Sequence, residues 1–209
     1  MRINTVRQRI VVGVLGMLLP WIVAALVGYI PDSISATWHT NACTVFMIIL
    51  GWASGTLVCY KGYELIDDVL LTCAGIAGFG ICLFPCTVSG CPEKFGTFLI
   101  DSQVSNTLHC VFAVIFFGLL AYNSLFLFTK GSGEPDARKK VRNIIFRVCG
   151  IGMVASFTLI LLPVPCKMWI TEAIALSFFG ISFLTKANVI PFLFCDKKVH
   201  KSYHQELIM

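Results

Sequence analysis

"VVGVLGMLLPWIVAALVGYI", residues 11–30, decides the fold. The run carries no charge, and about 20 apolar residues in a helix rising about 1.5 Å each cross the roughly 30 Å hydrocarbon core of a bilayer. A basic start, "MRINTVRQRI", precedes it, as it would precede a cleaved leader. The run is longer than the roughly 7–15 apolar residues of a leader, and no clean small-x-small cleavage site follows. The expectation is a retained membrane helix.

The same signature recurs outward along the chain. Six spans can be drawn, at 10–30, 42–60, 69–86, 106–128, 144–163 and 169–190. Residues 1–209 then form a single membrane domain, an all-α bundle of six transmembrane helices. Composition agrees: 57% of residues are hydrophobic and 13% charged, against roughly 25% charged in soluble domains. Mean hydropathy is +0.83. No internal repeat or long linker divides the chain.

Charge placement sets the orientation. With the N-terminus inside, 14 of the 16 lysines and arginines fall on inner segments, leaving Lys94 and Lys167 outside. By the positive-inside rule both termini are expected to be cytoplasmic. The net charge of +5 reads as topogenic, with some attraction to anionic lipid heads. Nucleic acid is not an expected partner, because the basic residues are scattered over membrane-flanking turns. "TKGSGEPDARKKVRN", residues 129–143, is expected as a solvated inner turn, and "YKGYELIDD", residues 60–68, to pair Lys61 with Glu64. Asp67 and Asp68 are expected to cap the third span.

The ten cysteines suggest a disulfide framework until they are placed. Cys43, Cys59, Cys73, Cys82, Cys110 and Cys149 fall within or at the ends of spans, where a thiol packs as a small hydrophobe. Outside, "CTVSGC" allows a Cys86–Cys91 disulfide, one alternative beside two free thiols. Cys195 beside the inner surface is a candidate for palmitoylation. "GWASG", residues 51–55, is a GxxxG that favours close helix packing without indicating a homo-oligomer.

"SISATWHTN", residues 33–41, stands out between two apolar runs. Asp32, Ser33, Ser35, Thr37, His39 and Asn41 of this loop share the outer side with Asp101, Ser102, Gln103 and Ser105. His109 and Glu172 lie about one turn inside spans four and six. Ionisable groups below the interface are costly and face the bundle interior with a partner. Two imidazoles and a carboxylate suit zinc, so His39, His109 and Asp101 are candidate metal ligands, with Glu172 as general base. Ser35, His39, Asp101, His109 and Glu172 equally suit a pocket for a small polar ligand, an ion or a lipid head group. The plain structural alternatives are a helix cap for Glu172, an interhelical hydrogen bond for His109, turn residues for Ser35 and Thr37, and a loop side chain for His39. His200 and His204 of "VHKSYH" could pair on a metal if helical, against the simpler reading of a solvated tail.

"SISATWHT", "YKGYELIDDVLLTCAGIAGFGICLFP" and "LHCVFAVIFFGLLAYNSLFLF" together resemble a group of bacterial six-span membrane proteins without an assigned activity. That resemblance implies the six-helix plan and an inner-membrane location. The SxxxH of Ser35 and His39 is similar to one motif of the CREST superfamily of alkaline ceramidases and adiponectin receptors, seven-span zinc hydrolases. Here there are six expected spans, no aspartate early in the next span and no HxxxH in the last helix. Three functions therefore compete: a binding or transport-type membrane protein with an outward-facing polar pocket, a zinc-dependent membrane hydrolase acting on a lipid or amide, and a structural or assembly protein. Membrane lipids are the expected partners of all three.

Overall fold

The computed structural model describes residues 5–62, 64–130, 137–163 and 165–189. Cys195, His200 and His204 lie outside them. Six α-helices follow one another: α1 (Thr5–Val27), α2 (Cys43–Val58), α3 (Leu65–Leu83), α4 (Ser102–Tyr122), α5 (Ala137–Ser156) and α6 (Lys167–Lys186). A 3-10 turn, Ser35–His39, precedes α2; a π turn, Asn123–Leu127, continues α4; and a 3-10 turn, Phe157–Leu161, continues α5. Two two-residue strands, β1 (Lys94–Phe95) and β2 (Ile100–Asp101), pair antiparallel in the connection before α4. They are the one departure from an all-α chain among the described residues.

Five helical segments are long and apolar enough to cross a membrane; α2, with 16 residues, is a shorter apolar helix. Each consecutive pair from α1 to α6 packs side by side, and α6 closes back onto α1, making a six-helix ring. Contacts at the two ends show that the helices alternate in direction. At one end Arg9 of α1 lies over Tyr60 beyond α2, and Lys130 beyond α4 reaches Glu64 ahead of α3. Arg142 of α5 there bonds Asn188 beyond α6. At the other end the Trp169 N–H donates to the Asp32 carbonyl. We call these the basic end and the far end.

Helix boundaries differ from the expected spans because polar caps carry helices past the apolar runs. α3 starts at Leu65, where Glu64 is the N-cap and Asp67 completes a capping box by accepting from the Glu64 N–H at 3.3 Å. Asp68 does not cap the helix. It accepts from the Gly62 N–H at 2.6 Å and from Lys61 at 3.1 Å, so Lys61 pairs with Asp68, and Glu64 is taken by Lys130 at 2.7 Å. α3 ends at Leu83 because the residue before Pro85 is excluded from helical backbone by the proline ring. α4 starts at Ser102, four residues before the expected span, because the Asp101 carboxylate caps it.

Close helix approaches occur at small residues, though not at the GxxxG. Gly51 faces open space, and a Cβ on Gly55 would meet only the Phe79 ring tip. The seam between α2 and α3 runs instead over Gly75, where a Cβ would stand 2.5 Å from the Ser54 carbonyl, and Gly78, beside the Ser54 hydroxyl. α1 and α6 cross at Gly13 and Gly180, where a Cβ on Gly180 would fall 2.5 Å from the Gly13 carbonyl. Backbones can come this close only without side chains, and dispersion across the resulting contact is what holds helices together in lipid. Ser124 ties three helical segments: its hydroxyl donates to the Phe146 carbonyl at 2.8 Å and pairs with the Ser182 hydroxyl at 2.7 Å.

Candidate functional site

At the far end, the residues expected to form an outward pocket are used in two separate structural units. In the first, the Glu172 carboxylate of α6 accepts from the Ile34 N–H at 2.5 Å and from the Ser35 hydroxyl at 3.4 Å. It therefore supplies an acceptor to the start of the Ser35–His39 turn, which has no side-chain cap of its own. Beside it lies a cavity of about 30 Å³ walled by Ser35 and Glu172 and otherwise by Leu, Ile and Phe side chains. That is room for a water or two.

The second unit fixes the chain leaving α3. Four consecutive residues there are held by side chains: His109 Nδ1 to the Phe84 carbonyl at 2.8 Å, Ser105 Oγ to the Pro85 carbonyl at 2.8 Å, His39 Nε2 to the Cys86 carbonyl at 2.7 Å, and the Thr87 N–H to Asn106 Oδ1 at 3.0 Å. Both imidazoles are thus hydrogen-bond donors to backbone, and His39 also packs between the rings of Trp38 and Phe95. Ser105 and Asn106 were not expected in this role; a proline ending a helix under polar residues of the next helix is the sequence signal for it.

The structure brings Ser35 together with Glu172, and His39 with the Cys86 backbone. Asp101 stands apart, its Oδ1 accepting from the Gln103 and Val104 N–H groups at 2.9 and 3.2 Å. Among the described residues no three His, Cys, Asp or Glu side chains gather in a way that could hold a metal ion. Cys86 and Cys91 are free thiols, and burial pushes the Cys86 thiol up to about 12, with the nearby Glu172 carboxylate adding to the rise.

The large cavity lies at the basic end and measures about 920 Å³. Five cationic side chains line it: Arg9 from α1, Lys130 beyond the π turn, Lys139 and Arg142 from α5, and Lys186 from α6. Glu64 is the single acidic residue among its described walls. Local structure explains how so many like charges are gathered. Lys186 lies over the Phe128 ring at 5.0 Å and the Phe146 ring at 6.0 Å, where the ring quadrupoles attract a cation. The same rings belong to an aromatic floor in which Phe183 meets Phe128 at 5.3 Å and Tyr60 at 6.5 Å. Arg9 lies over Tyr60 at 5.1 Å, and Arg142 Nη1 donates to Asn188 Oδ1 at 3.2 Å. Lys130 is held by Glu64, whose carboxylate keeps its ammonium above the usual lysine range.

The sequence assigns these cations to topology and to some attraction for anionic lipid heads, without gathering them into a site. A chemical signal was present in that they come from four segments of the chain that meet at one end of the bundle. The chain matches no protein-family model, no curated protein and no solved structure.

Proposed function

We propose that this is a membrane-embedded binding protein whose ligand carries phosphate and sits in the basic cavity, with the head group of an anionic phospholipid as the ligand class. In this reading the chain crosses the membrane six times, and the positive-inside rule turns the basic end and both termini to the cytoplasm. The observation that carries the reading is the charge of the cavity wall: among the described residues, five cations against one carboxylate line about 920 Å³. Like charges at close range repel, and a site built this way is stabilised by an anion that neutralises it. Arginine suits phosphate because its planar fork donates two parallel hydrogen bonds, and basic pockets between helices on the cytoplasmic side suit phospholipid heads.

Volume supports the basic end over the far end. Ligand pockets span roughly 300–1,000 Å³. The cavity beside Glu172, about 30 Å³, is an order of magnitude below that range. The expectation of a pocket for an ion or lipid head group is therefore kept, and its place moves to the other end of the bundle.

Titration of the purified protein in a neutral detergent tests this. Intrinsic tryptophan fluorescence is followed against phosphatidylglycerol, phosphatidylcholine and inorganic phosphate. The expected result is at least about tenfold tighter binding of phosphatidylglycerol than of phosphatidylcholine, weakening with added salt and in Arg142→Gln and Lys139→Gln. Equal affinity for the two lipids, unaffected by those substitutions, would overturn the proposal. Saturation by inorganic phosphate alone would make the ligand a soluble anion.

A further inference from the structure

Beside the basic cavity lies a second, much smaller one of about 10 Å³, and the two share Phe128 and Lys186 in their walls. Its other polar walls are Tyr60, Asp67 and Asn123. Asn123 is fully buried and opens the π turn Asn123–Leu127. Such turns are rare and frequently mark functional sites.

The Asn123 amide has its orientation fixed, because Nδ2 donates to the Leu119 carbonyl at 2.7 Å. That leaves Oδ1 as a buried acceptor without a hydrogen-bond partner. A buried acceptor left unsatisfied is costly, and something that donates a hydrogen bond is favoured beside it. About 10 Å³ admits one hydroxyl-sized group. A hydroxyl donates without adding a charge to a space already walled by one cation, Lys186, and one carboxylate, Asp67.

We propose that this recess selects the ligand, taking a hydroxyl that donates to Asn123 Oδ1 while the phosphate lies among the cations of the large cavity. The preferred head group is then a polyol phosphate such as phosphoglycerol. A phosphate bearing an alkyl group, which cannot donate, fits less well. This rests on the phosphate reading of the basic cavity and adds to it a specificity-determining residue, Asn123.

The test compares phosphatidylglycerol with phosphatidylpropanol, which has the same charge and nearly the same size but no free hydroxyl, in fluorescence titrations of the full chain. The wild-type protein should bind phosphatidylglycerol about tenfold tighter. Asn123→Leu should remove the difference and leave phosphatidylpropanol binding unchanged, which a merely structural role for the amide would not do. Should that variant fail to fold, the wild-type comparison decides alone. Equal binding of the two lipids overturns the hydroxyl proposal while the phosphate reading stands; binding of both no better than phosphatidylcholine overturns the two together. Glycerol 3-phosphate against propyl phosphate repeats the comparison without acyl chains. Discrimination confined to that pair would support recognition of the hydroxyl by a soluble ligand.

Discussion

Glu172→Ala probes the far end most sharply. The carboxylate accepts from the Ile34 N–H at 2.5 Å and the Ser35 hydroxyl at 3.4 Å, and Ile34 itself is 3% exposed. Truncation removes a hydrogen bond to a charged group, roughly 1.5–3 kcal/mol, and leaves a buried N–H without its acceptor. Against that stands relief of burying a carboxylate beside Leu19, Phe46, Leu50 and Phe117. The expected net loss is about 2 kcal/mol, or about 4–8 °C in Tm for a chain of this length. Glu172→Gln keeps one acceptor oxygen and should lose about half as much. Thermal unfolding in detergent, followed by near-UV circular dichroism, reads both. A Glu172→Ala protein within about 0.5 kcal/mol of wild type, the range of ordinary surface changes, would refute the capping role.

Other consequences are open to simple measurement. Alkylation of a Cys86-only variant should be slow at pH 8 and still climbing past pH 10, because burial holds its thiol near 12; Glu172→Gln removes a negative neighbour, lowers that value and should quicken the reaction. Rates levelling off near pH 8.5 would contradict the burial. A membrane-impermeant maleimide on intact cells should label a Cys91-only variant and spare a Cys59-only one, since Cys59 lies exposed at the basic end; the reverse pattern inverts the proposed orientation. Ser124→Ala and Ser182→Ala should couple in a double-mutant cycle by about 0.6 kcal/mol, and no more than about 1.7, the range for hydrogen bonds between membrane helices; zero coupling would remove that tie. Gly180→Ala sets a Cβ 2.5 Å from the Gly13 carbonyl and should destabilise the α1–α6 crossing by about 1–3 kcal/mol, whereas Gly51→Ala, facing open space, should be nearly neutral.

The helices were legible because a 20-residue apolar run has one economical solution in lipid, where backbone groups must be satisfied within the helix. Their ends were less so, since Glu64 and Asp101 act through cap geometry that hydropathy does not register. The far-end residues do share one end of the bundle, where their side chains hold backbone groups. His39 and His109 look like ligands in a string of letters, but Pro85 leaves backbone carbonyls at residues 84–86 without helical partners, and those carbonyls take both imidazoles. The basic cavity was hidden by a sufficient alternative explanation. Arg9, Lys130, Lys139, Arg142 and Lys186 satisfy the positive-inside rule wherever they point, and only packing on Tyr60, Phe128 and Phe146 turns some of them toward one another.

Native mass spectrometry of the protein released from nanodiscs of equal phosphatidylglycerol and phosphatidylcholine tests the central proposal most directly. One phosphatidylglycerol should stay with each chain through detergent-free release, and the Lys139→Gln, Arg142→Gln double variant should lose it. Retention of the two lipids in their bulk ratio, the same for wild type and variant, would contradict a phosphate site at the basic end.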